Sequence, residues 1–97
     1  MSVIEPHMAS LFELIGRAQT LPILWSLRQS PKGFRDLQRS CGDLSSSVVS
    51  RRLRELHEAK LVEAVSPHWQ LTKQGVAFTE LLATMSPWAK RWNKSIS

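Results

Sequence analysis

Over residues 46–60 the apolar and polar side chains separate at helical spacing. Val49, Leu53, Leu56 and the stem of Lys60 share one stripe, while Ser47, Ser50, Arg51, Arg54 and Glu58 fall on the opposite side. The run Leu44-Ser45-Ser46-Ser47 opens this segment. Serine suits a helix start because its oxygen accepts a hydrogen bond from a free first-turn N–H. No Glu or Gln stands at the offset for a capping box, so which serine caps is left open. A fold for this chain must bury one side of that helix and leave an arginine- and serine-bearing side in water.

The flanking segments narrow the choice. Phe34, Leu37 and Cys41 at i, i+3 and i+7 mark a short helix closed by Gly42. Two helices joined by so tight a turn have the spacing of a helix-turn-helix. Downstream, Leu61-Val62-Glu63-Ala64-Val65-Ser66, a turn at Pro67-His68 and Trp69-Gln70-Leu71-Thr72 predict a β-hairpin, the wing of a winged helix. Thr72 then reads as the cap of a helix over 73–84, and Ser86-Pro87 as a kink or a restart. Phe78, Leu82, Met85, Ala89 and Trp92 carry one face through that point. Upstream, Ile4, Met8, Leu11, Ile15 and Ala18 predict an amphipathic helix over 6–17 that ends near Gly16. Thr20 is the expected cap of a second helix, with Pro22 in its first turn and Ile23, Leu24 and Leu27 on its apolar side up to Gln29. Ser30-Pro31-Lys32-Gly33 reads as a turn. The predicted fold is mainly α with a small β-hairpin: one winged helix-turn-helix domain over 1–97. Its core spans 19–72, with terminal helices over 1–18 and 73–97 for dimerisation.

The charge is concentrated in that core. The 13 Lys and Arg outnumber the 8 Asp and Glu, a net +5. Arg28, Lys32, Arg35, Arg39, Arg51, Arg52 and Arg54 face only Asp36 and Asp43 between positions 28 and 54, and the rest of the chain is balanced. Six of these seven cations are arginine, whose planar fork suits phosphate and guanine. In a winged helix the second helix of the pair enters the major groove of double-stranded DNA and its N-terminal residues reach base edges. On that reading Ser46, Ser47, Ser50, Arg51 and Arg54 contact bases or phosphates, and Arg35, Arg39 and Lys32 contact the backbone. His68 stands at the wing tip. Arg52 lies at the shoulder of the apolar stripe, with Glu55 or Asp36 as candidate internal partners and DNA as the alternative.

Other chemistries lack residues. His7, His57 and His68 have no Cys or carboxylate at ligand spacing, so no metal or other cofactor is expected. The single cysteine, Cys41, has no His–Asn or His–Asp set near it and reads as a small buried apolar group. The four glycines are scattered, with no phosphate-binding loop, so an enzyme is not expected. No apolar run reaches the roughly 18 residues of a membrane span. No secretory signal is visible and the lone cysteine makes no internal disulfide, so a cytoplasmic protein is expected. A chain of 97 residues buries only roughly 60–65% of its unfolded surface, so a second subunit is expected to help. Trp88 and Trp92, four apart near the C-terminus, together with Met8, Leu11, Ile15 and Met85, are the expected dimer contact.

The ordered fragments also carry a resemblance. Leu14-Ile15-Gly16-Arg17, Leu21-Pro22-Ile23-Leu24, Phe34-Arg35-Asp36-Leu37, Leu44-Ser45, Val49-Ser50-Arg51-Arg52-Leu53-Arg54-Glu55-Leu56, Leu61-Val62-Glu63 and Leu71-Thr72-Lys73-Gln74-Gly75 resemble the HxlR group of bacterial winged-helix transcription regulators. The likeness runs from about residue 11 to Trp92. It implies a homodimer built from the terminal helices, with two recognition helices on a pseudo-palindromic operator, acting as a repressor. No effector is indicated. The chain departs from the group in three places. Glu5-Pro6 stands where the group often has an oxidant-sensing cysteine, and Ala18-Gln19 where it often has a tryptophan. The stretch 63–72 has no Lys or Arg, so the wing offers no minor-groove arginine. The alternative from another class is a winged helix used as a protein–protein interaction module, which the uncharged wing and the tryptophans would suit.

Overall fold

The computed structural model describes residues 3–97. The elements run α1 (Pro6–Ile15), α2 (Thr20–Gln29), α3 (Phe34–Ser40), α4 (Ser46–Glu58), β1 (Val62–Val65), β2 (His68–Leu71), α5 (Lys73–Thr84) and α6 (Ser86–Ile96). The fold is mainly helical with one two-stranded antiparallel hairpin, the winged helix-turn-helix expected from the sequence.

The core gathers the apolar stripes of three helices under the first strand: Ile23, Leu24 and Leu27 of α2, Leu37 of α3, Val49, Leu53 and Leu56 of α4, and Val62 of β1. Phe34, Leu44, Leu71 and Phe78 close around it, and half-buried Cys41 packs there as a small apolar group. The turn between α3 and α4 depends on Gly42, whose φ of 89° is open to glycine at little cost. Asp43 beside it also has a positive φ, 58°.

The capping serine of α4 is Ser45, whose hydroxyl accepts from the Val48 N–H at 3.3 Å. Thr72 caps α5 as expected, accepting from the Gly75 N–H at 3.1 Å while donating to the Lys60 carbonyl at 2.7 Å. That pair ties the end of α4 to the start of α5. Gly75 completes the joint: a Cβ there would lie 2.1 Å from the Leu61 carbonyl oxygen, so only glycine permits the approach. The Ser86-Pro87 signal is a restart, with α6 beginning directly after Met85.

Four local expectations are corrected. Thr20 does not cap α2. The helix begins one residue earlier, on Gln19 in the left-handed region at φ 73°, and the Thr20 hydroxyl is buried without a hydrogen-bond partner among the described residues. The α4 helix ends at Glu58 instead of position 60, because Lys60 turns left-handed at φ 62° to lead into the wing, and its stem is exposed. The hairpin turn is Ser66-Pro67, so His68 is the first residue of β2, opposite Val65. The segment before α3 is more than a turn: Lys32 and Trp69 exchange backbone hydrogen bonds at 3.0 and 2.8 Å, an isolated β-bridge along the hairpin.

The radius of gyration is 14.4 Å, against roughly 12.5 Å for a compact domain of this length. The excess fits the terminal helices, since neither α1 nor α6 contributes a fully buried residue.

Candidate nucleic-acid interface

Burial divides α4 as the sequence pattern demands. Val49, Leu53 and Leu56 are 0%, 1% and 0% exposed, while Ser46, Ser47, Ser50, Arg51 and Arg54 all face solvent. Ser47 sits beside the capping serine, its hydroxyl 3.3 Å from that of Ser45. Arg51 and Arg54 have no ion-pair partner among the described residues. Two charged forks therefore project from the first two-thirds of the helix, close to the unsatisfied N–H groups of its first turn.

Both flanks of α4 are held. On one, Trp69 of the wing meets His57 edge-on, the ring centroids 6.3 Å apart. Phe34, Ser50, Leu53 and Arg54 join these two rings around a cleft of about 340 Å³. On the other, Arg52 pairs with Glu55 at 3.1 Å, and its Nε donates to the Ala18 carbonyl at 2.6 Å. Arg52 thus takes the internal role, with Glu55 and not Asp36 as its partner.

The remaining candidates divide. Arg35 on α3 is exposed with no ion-pair partner among the described residues. Arg39 is exposed but paired with Asp36, one turn back on the same helix. A shallow cleft between Arg35, Arg39 and Asp43 opens beside the turn into α4. Lys32 is turned inward: its ammonium donates to the Ser26 carbonyl at 2.7 Å and to the Ser30 hydroxyl at 3.3 Å, closing the C-terminal end of α2. His68 is exposed on the wing, and Glu63 on β1 accepts from Gln70 at 3.0 Å. Sequence reasoning missed the inward turn of Lys32, because a lysine in a polar turn carries no pattern that distinguishes the two roles.

The residues expected to meet a second subunit lie on the terminal helices. Met8, Leu11 and Ile15 are half-buried on α1. Met85, Trp88 and Trp92 are 57%, 56% and 50% exposed, and the two indoles stack 5.7 Å apart at 9°. Beside them an open apolar cleft of about 490 Å³ lies between Pro22 and Trp25 of α2 and Leu82, Met85 and Ala89.

This arrangement of α3, α4 and wing is shared with known regulators. The pattern of the HxlR-like helix-turn-helix family matches residues 14–97. The chain belongs to that family. Among curated relatives, the HTH-type transcriptional regulator YodB of Bacillus subtilis is 28% identical over 94 residues, spanning 90% of this chain and 84% of the relative. The quinone-bound structure of YodB superposes with a TM-score of 0.80 at 29% identity, covering 91% of this chain and 99% of that one. A possible HxlR family transcriptional factor from Thermoplasma volcanium superposes with a TM-score of 0.78 at 25% identity, covering 94% and 87%. The protein is thus a transcriptional regulator of winged-helix type and not an enzyme. No helix among the described residues is long and apolar enough to cross a membrane.

Proposed function

We propose that this HxlR-like regulator binds double-stranded DNA as a homodimer, with the exposed face of α4 in the major groove of each half of a pseudo-palindromic operator, and that it represses transcription by occupying that DNA. The observation that carries the reading is the α4 face: Arg51 and Arg54 exposed and without ionic partners, beside Ser46, Ser47 and Ser50, on a helix whose other side is fully buried. A guanidinium in water with no neighbour to neutralise it is available for guanine N7 and O6 or for phosphate. Arg35 supplies a second, backbone-directed cation from α3, and Arg39 joins it by exchanging Asp36 for phosphate. Lys32 serves the fold, and His68 adds a polar contact where the wing meets the flanking backbone. The wing brings no Lys or Arg, so affinity rests on α3 and α4.

Support for the dimer comes from the terminal helices. The stacked, half-exposed Trp88 and Trp92 stand on the same helix as Ala89, which lines the open apolar cleft beside α2, an apolar surface of the kind that subunit contacts cover. With Met85, and with Met8, Leu11 and Ile15 of α1, they form the proposed subunit contact, and two recognition helices then lie about one helical turn (~34 Å) apart on one side of the duplex.

The test is a gel shift on random duplex DNA at low salt, followed by a selected operator. Retardation at micromolar protein is expected. Arg51→Ala and Arg54→Ala are each expected to weaken operator binding by about 1–3 kcal/mol. Equal affinity of the double variant and the parent would overturn the assignment, and no retardation of any duplex would favour a protein-interaction module.

A further inference from the structure

The flank of α4 away from the wing is fastened to the N-terminal helix through a small ionic cluster. Glu55 sits at its centre, with its side chain 20% exposed. One carboxylate oxygen takes Arg52 of the same helix at 3.1 Å, and the other takes Arg17 at 3.0 Å. Arg17 lies in the connection between α1 and α2, and its guanidinium also reaches Glu13 of α1 at 3.5 Å. Arg52 closes the ring by donating to the Ala18 carbonyl in the same connection, a contact across 34 positions of sequence. Two charge-assisted contacts, Arg17 to Glu55 and Arg52 to the Ala18 carbonyl, therefore join α4 to the root of α1. The Arg52 and Glu55 side chains are only 14% and 20% exposed, so their pair is less screened than an ordinary surface pair, whereas Glu13 stands largely in solvent. The group lies off the proposed DNA face, on the inner shoulder of α4.

We propose that Arg17 and Arg52, meeting at Glu55, are positioning residues that set the angle between the dimerising helix and the recognition helix, and through it the half-site spacing the dimer accepts. The inference rests on the homodimer reading above. Because α1 spans ten residues, it is about 15 Å long, and a tilt of about 10° at its root moves its far end by roughly 2.5 Å. One base pair of added spacing shifts the second half-site by roughly 3.4 Å and turns it by about 35°. The translations are of similar size while the turn of about 35° exceeds the tilt, so a stiff joint at Glu55 rejects a one-base-pair change sharply and a loose joint rejects it less. Each subunit's contacts with its own half-site involve neither arginine and are left as they were.

The experiment uses the full chain, the selected operator, versions with one or two base pairs inserted or removed at the centre, and an isolated half-site duplex. Arg17→Met removes the ion pair with Glu55 while leaving Arg52 on Glu55 and on the Ala18 carbonyl, and Arg17→Lys retains the charge. The parent and Arg17→Lys are expected to favour the selected spacing by about tenfold or more over a one-base-pair change. Arg17→Met is expected to reduce that preference below about threefold, with half-site affinity within about twofold of the parent and an unchanged melting midpoint. An unchanged spacing preference in Arg17→Met overturns the proposal. So does a parallel loss of half-site affinity and melting midpoint, which assigns the cluster to fold support alone. If the parent binds the half-site but ignores spacing, the homodimer reading fails and takes the proposal with it, an outcome visible before any variant is made.

Discussion

The salt dependence of DNA binding follows from which cations the fold leaves free. Arg35, Arg51 and Arg54 are exposed on the α3–α4 face with no ionic partner among the described residues, whereas Arg39 is paired with Asp36, Arg52 with Glu55, and the Lys32 ammonium is bonded to α2. Three free guanidiniums per subunit make six per dimer. Each phosphate neutralised contributes about −0.9 to the slope of log K against log salt, so six on phosphate give a slope near −5 and a loss of roughly a thousandfold between 50 and 200 mM salt. Arg39 adds up to about −1.8 where it leaves Asp36, and Arg51 and Arg54 on base edges would subtract about 3.6 from the magnitude. Arg35→Ala removes two of the six, and its slope is expected to become shallower by about 1.8 while sequence preference is retained. Arg54→Ala has two distinguishable outcomes: a shallower slope assigns it to phosphate, and a relaxed preference at one operator position with the slope kept assigns it to a base edge. Titrations by fluorescence anisotropy at five or six salt concentrations supply the slopes. An Arg35→Ala slope equal to the parent's would refute the assignment of Arg35 to the phosphate backbone, and Arg54→Ala with both slope and sequence preference unchanged would refute that of Arg54 to the interface.

The other expectations concern assembly and the joints that hold the recognition helix. Replacing Trp88 and Trp92 together by serine is expected to shift the protein from dimer to monomer in sedimentation velocity while far-UV circular dichroism stays helical, since both indoles are half exposed in the single subunit. Ser45→Ala removes the only side-chain cap of α4 seen among the described residues and is expected to cost about 1 kcal/mol in urea denaturation, with Ser45→Asp close to the parent. Gly75→Ala brings a methyl against the Leu61 carbonyl and is expected to lower stability by about 1–3 kcal/mol, whereas Ala77→Gly two residues on, at an exposed helical position, is expected to cost no more than about 1 kcal/mol.

What the sequence disclosed and what it withheld divide along the range of the interactions. The α4 stripe was legible because burial of Val49, Leu53 and Leu56 is a periodic signal within one helix. Thr72 was legible as a cap because its partner, the Gly75 N–H, lies three residues away. Thr20 misled for the same local reason: a threonine two positions before a proline imitates a helix start, but packing of α2 into the core buries its hydroxyl and moves the start to Gln19. The bridge between Lys32 and Trp69 gave no warning, because two isolated residues form no alternating run. Arg52 was flagged as an internal candidate with Glu55 among its partners, yet Arg17 and the Ala18 carbonyl were invisible because they come from a connection more than thirty positions away. The solvent-facing side of α4 could be read from one helix. The contacts of its flank with the α1–α2 connection depended on tertiary packing.

Selection of bound sequences from a random duplex pool tests most directly whether the α4 face enters DNA. The expected result is enrichment of an inverted repeat whose half-sites are centred about 10–10.5 base pairs apart, with enrichment lost when Arg51 and Arg54 are both alanine. A pool that stays random after repeated rounds with the parent, or one that the double variant enriches equally well, would contradict it.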